Sequence, residues 1–420
     1  MALETPEGYR ALTPETVPAY LAGLPSVAER LGGEPGSWVV REVGDGNLNL
    51  VFIVEGPSGD LCLKQALPYV RLVGDSWPLP VERAFFESNA LAMEGQACPE
   101  RVPQVFHYDQ AMYAIVMERL SPHIIMRRGM IDGVVYPRFA EQISDFLAAT
   151  LFETSDLAIP AAQKKEKVAL FSANTELCKI TEDLIFTDPY MHHERNRWTS
   201  PQLDEDARRI REDDQLKRAV AFLKQKFMTE TQALLHGDMH TGSIMVTADD
   251  TKVIDPEFAF YGPMGFDIGK LIGNFLLCYF SQDGHEREPG ERNGYRSWIL
   301  DQIPLIWSGF AQKFRARWDL AGRKGDAFPQ ALFEDPNSRK LVQDDVLTKL
   351  FTDCVGYAGT SMIRRTLGLA HNIDMEEIED PDRRAACERK NLTLARELIV
   401  DANRFTAWEQ MTERAKAIRG

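Results

Sequence analysis

Hydrophobic and polar positions follow two different periods along this chain, and the change falls near residue 117. Over residues 38–43, 48–54 and 61–66 the period is two, which predicts three strands. The turns Gly44-Asp45-Gly46-Asn47 and Gly56-Pro57-Ser58-Gly59 join them, so the strands are expected to run antiparallel. Ahead of them, Ser26-Val27-Ala28-Glu29 reads as a capping box opening a short helix that stops at Gly32-Gly33. A helix over 81–94 follows, proline-bounded residues 99–103 break it, and 113–117 return to strand.

Beyond Met117-Glu118-Arg119-Leu120 apolar residues recur at three- and four-residue spacing. Helices are expected over 138–152, 203–228, 266–280 and 385–408, with polar surface loops over 281–294 and 321–336. The pattern predicts an α+β protein of two lobes. Residues 1–117 form a small antiparallel-sheet lobe, and residues 118–420 a large, mainly helical one. A hinge lies near Glu118, and a ligand is expected between the lobes.

One stretch breaks the helical pattern. His236-Gly237-Asp238-Met239-His240 precedes an apolar strand at Ser243-Ile244-Met245-Val246, a turn at Ala248-Asp249-Asp250, and a second strand ending in Ile254-Asp255-Pro256-Glu257. A hairpin of that size brings its two mouths together, so Asp238 and the Asp255/Glu257 pair should face one site. Asp238 can take a hydroxyl proton, and Asp255 and Glu257 offer hard oxygen ligands for Mg²⁺. Acids confined to the mouths of an apolar hairpin are not the pattern of a solvated face. They are the skeleton of a kinase active site, where the protein positions groups and supplies charge.

The upstream residues fit ATP. Glycines at the hairpin tip Gly44-Asp45-Gly46-Asn47-Leu48-Asn49 let backbone N–H groups approach phosphate, with Gly46, Asn47 and Asn49 as the contacts. Lys64 alternates away from Leu61 and Leu63 and fits a strand lysine that holds phosphates. Its carboxylate partner should come from the next helix. Glu87 lies among core-facing residues there and is preferred to Glu82 and Glu94. At the lobe junction Glu118, Arg119 and Leu120 form a connector, and resemblance to the kinase-like fold implies that its main chain meets adenine.

Composition narrows the partners. A net charge of −15 argues against nucleic acid, whose phosphates need basic patches. The N-terminal segment is acidic without an apolar core, and the apolar run over 271–280 is broken by Gly273 and Asn274. Neither a signal peptide nor a membrane span is expected, so the location should be cytoplasmic. Six scattered cysteines suit free thiols in a reducing compartment.

His-Gly-Asp-x-His resembles the catalytic loop of the aminoglycoside phosphotransferase and choline kinase branch of the protein-kinase-like fold. The string from His236 to Ile244, with Asp255-Pro256-Glu257-Phe258-Ala259-Phe260-Tyr261-Gly262-Pro263 behind it, is similar to the 5-methylthioribose kinase family within that branch. Where the branch usually carries a metal-ligating Asn, this chain has Ser243. A hydroxyl is the weaker ligand, so Glu257 is expected to take over that contact beside Asp255. The resemblance implies transfer from ATP to the 1-hydroxyl of 5-methylthioribose, with Mg²⁺, in methionine salvage and by a homodimer. It places Arg364 and Arg365 in the substrate site with Asp238, and Trp77 on a lid over it. The stretch 128–137 is also similar to the family's, without an implied role. A choline- or aminoglycoside-type acceptor is the alternative, but cations want acids or an aromatic cage rather than twin arginines.

Overall fold

Pairing of the period-two segments builds an antiparallel sheet in the order Val39–Glu42, Asn49–Glu55, Asp60–Ala66, Ala114–Met117, Val105–Asp109. The computed structural model describes residues 6–44, 48–70, 74–320 and 322–420. The sheet therefore has five strands, two beyond the three that open the chain. Residues 105–109 escape the period-two rule because every one of them is half-buried, so they carry no apolar face to read.

Register decides which side chains reach the cleft. Phe52 pairs with Leu63 and Leu63 with Val116, while Val51 pairs with Lys64 and Lys64 with Ile115. Phe52, Val54, Leu61, Leu63 and Val116 pack under the N-terminal helices with Leu12, Val17, Leu21, Val27 and Leu31. Lys64 therefore lies on the opposite face, toward the Arg83–Ala97 helix and the second lobe.

The N-terminal capping box does not form. The helix is Pro25–Leu31, its cap position is Leu24, and Ser26 sits inside the first turn without a capping bond. Pro25 at the first helical position pre-sets the backbone and starts the helix one residue early.

The rest is helical, centred on Gly265–His285, Pro336–Leu367 and Pro381–Val400. Gly265, Gly269 and Gly273 recur every fourth residue. A Cβ at Gly269 would stand 2.4 Å from the Cys354 carbonyl oxygen, and one at Gly273 2.7 Å from that of Ala358. This glycine row lets two helices touch backbone to backbone, which fixes the register of the polar residues they carry into the site.

Three helical expectations need correction. The 203–228 segment is two helices, Asp204–Glu212 and Asp214–Thr229, because Asp213 turns extended and its carboxylate accepts from Leu216 N–H at 2.9 Å. Residues 281–285 are helix, since buried Ser281 and Gln282 donate back to the Cys278 carbonyl. The 385–408 segment ends at Val400, and a new helix, Trp408–Arg419, follows. Among the described residues no helix is long and apolar enough to cross a membrane.

Candidate active site

The hairpin forms as its residues dictate. Ile244–Val246 pairs antiparallel with Thr251–Val253, closed by Thr247 N–H donating to Asp250 O. Its two mouths are stitched together, as His236 Nε2 lies 2.8 Å from the Ile254 carbonyl. Gly237 has φ +80, and a Cβ there would meet the Phe258 carbonyl oxygen at 2.1 Å. Only glycine fits that close approach of the His236–His240 loop to the Asp255–Phe258 segment.

Asp238 emerges between these ties. Asp267, buried on the Gly265–His285 helix, accepts from the N–H groups of His236 (2.7 Å) and Gly237 (3.1 Å) and fixes the loop. His240 Nε2 stands 3.2 Å from Asp238 Oδ2, and Lys270 Nζ forms an ion pair with Oδ1. Burial by itself would raise the Asp238 carboxyl. Lys270, then His240 and Arg365, more than offset it and hold the group well below the usual carboxylate range. A carboxylate kept ionised is what a proton acceptor requires.

A second cluster lies at the other mouth. Lys64 Nζ is 2.7 Å from the Glu87 carboxylate and also pairs with Asp255. The choice of Glu87 over Glu82 and Glu94 matches this geometry. Burial works against the Lys64 ammonium, but Asp255, Glu87 and Glu257 reverse that and raise its pKa. Glu257 accepts from Asn49 Nδ2 at 3.0 Å and from Arg83 Nε at 3.1 Å. Arg83, fully buried, also donates to the carbonyls of Leu48, Leu67 and Pro80. It ties the glycine-turn strand, the segment after the lysine strand and Glu257 into one unit.

Carboxylate oxygens of Glu87, Asp255 and Glu257 lie within 4.8 Å of one another. Three acids face two cations, Lys64 and Arg83, and burial followed by the charge of Asp255 pushes the Glu257 carboxyl up. A surplus of negative charge on hard oxygens, with Glu87 and Glu257 buried and Asp255 half-exposed, fits a divalent cation. Ser243 is otherwise engaged: its hydroxyl donates to the Asp238 carbonyl at 3.0 Å, and it is buried. Glu257→Gln is therefore expected to raise the Mg²⁺ concentration for half-maximal activity roughly tenfold, and Ser243→Ala to leave it unchanged. Equal Mg²⁺ titrations for the two variants would exclude Glu257 as the substitute ligand.

Arg364 and Arg365 sit at the end of the Pro336–Leu367 helix, Arg365 buried and Arg364 half-buried. Both feel the charge of Asp238. Arg364 Nε and Nη1 and Arg365 Nε are buried without a hydrogen-bond partner. Arg127 closes the same side, donating from Nε to Thr241 Oγ1 (3.1 Å) and from Nη2 to Asn274 (3.0 Å), with Asp374 3.5 Å away.

Trp77, half-buried, packs with Leu48, Leu79, Leu177, Ile180 and Phe258, and the Arg195 guanidinium lies 5.7 Å from its ring centre. It thus joins the first lobe to the Thr175–Phe186 helix beside Glu257. At the junction, Glu118 N–H donates to the Gln104 carbonyl, while Arg119 pairs with Glu55 and Asp60. Leu120 is half-buried. Pro256 is buried between Asp255 and Glu257, and Asp255 takes φ +71. Gly46 and Asn47 lie outside the described residues.

Sequence reasoning missed Lys270, Asp267, Arg83 and Arg127. Asp267 and Lys270 are charges inside an apolar helical run, so their signal was present at Phe266-Asp267-Ile268-Gly269-Lys270 as two charges where a buried helix wants none. Arg83 beside Glu82 and Arg127 beside Arg128, by contrast, read as ordinary surface charges at helix starts.

Comparison with known proteins gives the family. Residues 39–297 match the model of the phosphotransferase enzyme family. The chain is 48% identical over 413 residues to a methylthioribose kinase of Escherichia coli O45:K1, covering 98% of each chain. It is 47% identical over 407 residues to methylthioribose kinase 1 of Oryza sativa subsp. japonica, covering 96% of this chain and 95% of that one. A methylthioribose kinase of Geobacillus kaustophilus is 45% identical over 371 residues, 88% of each. An ion-paired strand lysine, an ionised aspartate on a His-Gly-Asp-x-His loop and an acidic cluster between two lobes are thus placed in a sequence alike from end to end, and the chain belongs to the methylthioribose kinase family.

Proposed function

We infer that the enzyme transfers the γ-phosphoryl group of ATP to the 1-hydroxyl of 5-methylthioribose, giving 5-methylthioribose 1-phosphate and ADP and feeding methionine salvage. The observation that carries this reading is the arginine pair beside Asp238 with buried donors still unpaired. Such donors suit a polyhydroxylated acceptor and the charge of the phosphoryl group. A choline- or aminoglycoside-type acceptor would bring a cation to a wall of Lys270, Arg127, Arg364 and Arg365, which disfavours it.

Each group has one task. Lys64, held by Glu87, meets the α- and β-phosphates, and the Gly46, Asn47 and Asn49 contacts to phosphate expected from the sequence belong to the same reading. The main chain of Glu118, Arg119 and Leu120 borders adenine. Asp255 and Glu257, with Pro256 between them, would hold Mg²⁺, which would supply positive charge against the phosphates. Asp238 orients the 1-hydroxyl and takes its proton, and Trp77 closes over the acceptor. Six free cysteines fit a reducing cytoplasm, and the family resemblance supports a homodimer.

Coupled ADP release measured with methylthioribose, ribose, choline and kanamycin tests the substrate. Methylthioribose is expected to exceed ribose by roughly 10–200-fold in kcat/KM, the value of an apolar substituent in its pocket. Turnover of choline or kanamycin above that of methylthioribose would overturn the reading.

Replacing Arg364 or Arg365 with Met tests the acceptor side. Methionine keeps length and packing, so the lost charged hydrogen bond should dominate. A loss of about ten- to a hundredfold in kcat/KM for the sugar is expected, with nucleotide-induced thermal shift unchanged. A lowered melting temperature with unchanged sugar kinetics would remove these arginines from the site.

A further inference from the structure

Lys270 has no task of its own in the proposed transfer, yet it is the ammonium that contacts the base. The Gly265–His285 helix is apolar where it crosses the core, and the Lys270 side chain is only 3% exposed. Burying a lysine is costly unless a carboxylate meets it. Its ion-pair partner is Asp238; Arg364 and Arg365 repel it, and Asp267 attracts it without contact, its oxygens being taken by the His236 and Gly237 N–H groups. A lysine set among arginines whose one contacting carboxylate is Asp238 is placed for that carboxylate.

The helix makes the placement precise. Asp267 and Lys270 lie three residues apart, on one face of the helix. Asp267 grips the backbone of His236 and Gly237, and Lys270 grips the side chain that follows. Gly269, between them, is pressed against Cys354 and Tyr357, so the turn cannot slide along its neighbour. One helical turn therefore fixes both the loop and its carboxylate, while His240 bounds the other oxygen.

We propose that Lys270 is a positioning residue for phosphoryl transfer, orienting the Asp238 carboxylate and keeping it in the proton-accepting form beside the acceptor hydroxyl. The proposal rests on Asp238 being the base. All the charged and titratable neighbours bear on it. His236 and His240 come from the loop, Arg127 from the Met126–Ile131 helix, Arg364 and Arg365 from Pro336–Leu367, and Asp374 from beside Arg127. Burial holds His240 well below the ordinary imidazole value, with Asp238 only partly countering it, so the imidazole is neutral. Lys270 is the cation in direct contact. Burial pushes its own pKa down to about 8, with Asp238 pulling the other way, so it is still charged at neutral pH.

The test is the pH dependence of kcat from about pH 3, or the lowest pH at which the protein stays folded, up to about 8.5 for the wild type, Lys270→Met and Lys270→Arg, with Asp238→Asn as baseline; the window reaches low because the wild-type carboxyl lies well below the ordinary value. Removing an opposite charge at contact raises a carboxyl by about 1–3 units. The acid limb of Lys270→Met is therefore expected at least about one unit above the wild type's, with kcat at neutral pH lowered about ten- to a hundredfold. The sign follows because a base loses activity as pH falls through its pKa. Lys270→Arg keeps the charge and should restore the wild-type limb, even if its bulk lowers the melting temperature. If Lys270→Met does not fold, Lys270→Gln takes its place in the comparison.

An unmoved acid limb in the neutral variants, whatever their stability, overturns the proposal, as does a limb that moves equally in Lys270→Arg. Asp238→Asn keeps the outcomes separate. If it retains activity, the assignment of Asp238 as base fails; if it is inactive and the limb does not move, only the role of Lys270 fails.

Discussion

Exchanging Asp238 for asparagine is expected to lower kcat about 10²–10⁴-fold while leaving ATP affinity nearly unchanged. The substitution preserves shape. An asparagine oxygen can still accept from Lys270, so the side chain keeps its orientation, but an amide cannot take the hydroxyl proton. The nucleotide contacts proposed above fall on the separate Lys64, Glu87, Asp255 and Glu257 cluster, which the change does not touch.

Stability should move as well. The folded Asp238 carboxyl lies below its ordinary value, so its ion pair contributes stability above the unfolded pKa that is lost as pH falls through the folded one. Asparagine removes that contribution at neutral pH and strands Lys270. The ammonium, already pushed down to about 8, can shed its proton and limit the loss. Turnover, nucleotide titration and melting temperature together read these effects. More than a tenth of wild-type kcat would remove Asp238 as base.

The catalytic hairpin was legible because local rules suffice for it. Period-two strands, a turn of Ala248, Asp249 and Asp250, and acids only at the mouths determine it without reference to the rest of the chain. Lys64 was legible for the same reason, since alternation alone put it opposite Leu61 and Leu63. Glu87 could be chosen because its neighbours Phe86, Ala90 and Leu91 are core residues.

What stayed hidden depends on contacts between distant segments. Arg83 meets Glu257 across 174 residues, and Lys270 meets Asp238 from a helix whose two charges marked a buried polar site without naming its partner. The split at Asp213 and the failed cap at Ser26 show a related limit. Capping side chains compete with neighbouring proline and extended backbone, and sequence alone does not say which wins. The arginine pair lay between these cases. Its adjacency on a helix signalled burial, but its direction toward Asp238 is set by the glycine row that docks the two helices.

Asp255→Asn is expected to lower kcat about 10²–10³-fold at ordinary Mg²⁺, because a lost metal ligand removes several kcal/mol of charge stabilisation, about 1.4 for each factor of ten. Asparagine is the informative replacement. Asp255 holds φ +71, a conformation that asparagine tolerates and alanine resists. The backbone that aims Pro256 and Glu257 should therefore survive in Asp255→Asn, while Asp255→Ala should also lower the melting temperature. Lys64 keeps its bond to Glu87 in both variants, so nucleotide binding without metal should persist. Raising Mg²⁺ should recover part of the activity of Asp255→Asn, since Glu257 still offers a carboxylate at the same site. Activity above a tenth of wild type at ordinary Mg²⁺ would take Asp255 out of the metal site. A loss of turnover that Mg²⁺ does not relieve, together with lost nucleotide binding, would instead give Asp255 the single task of holding Lys64.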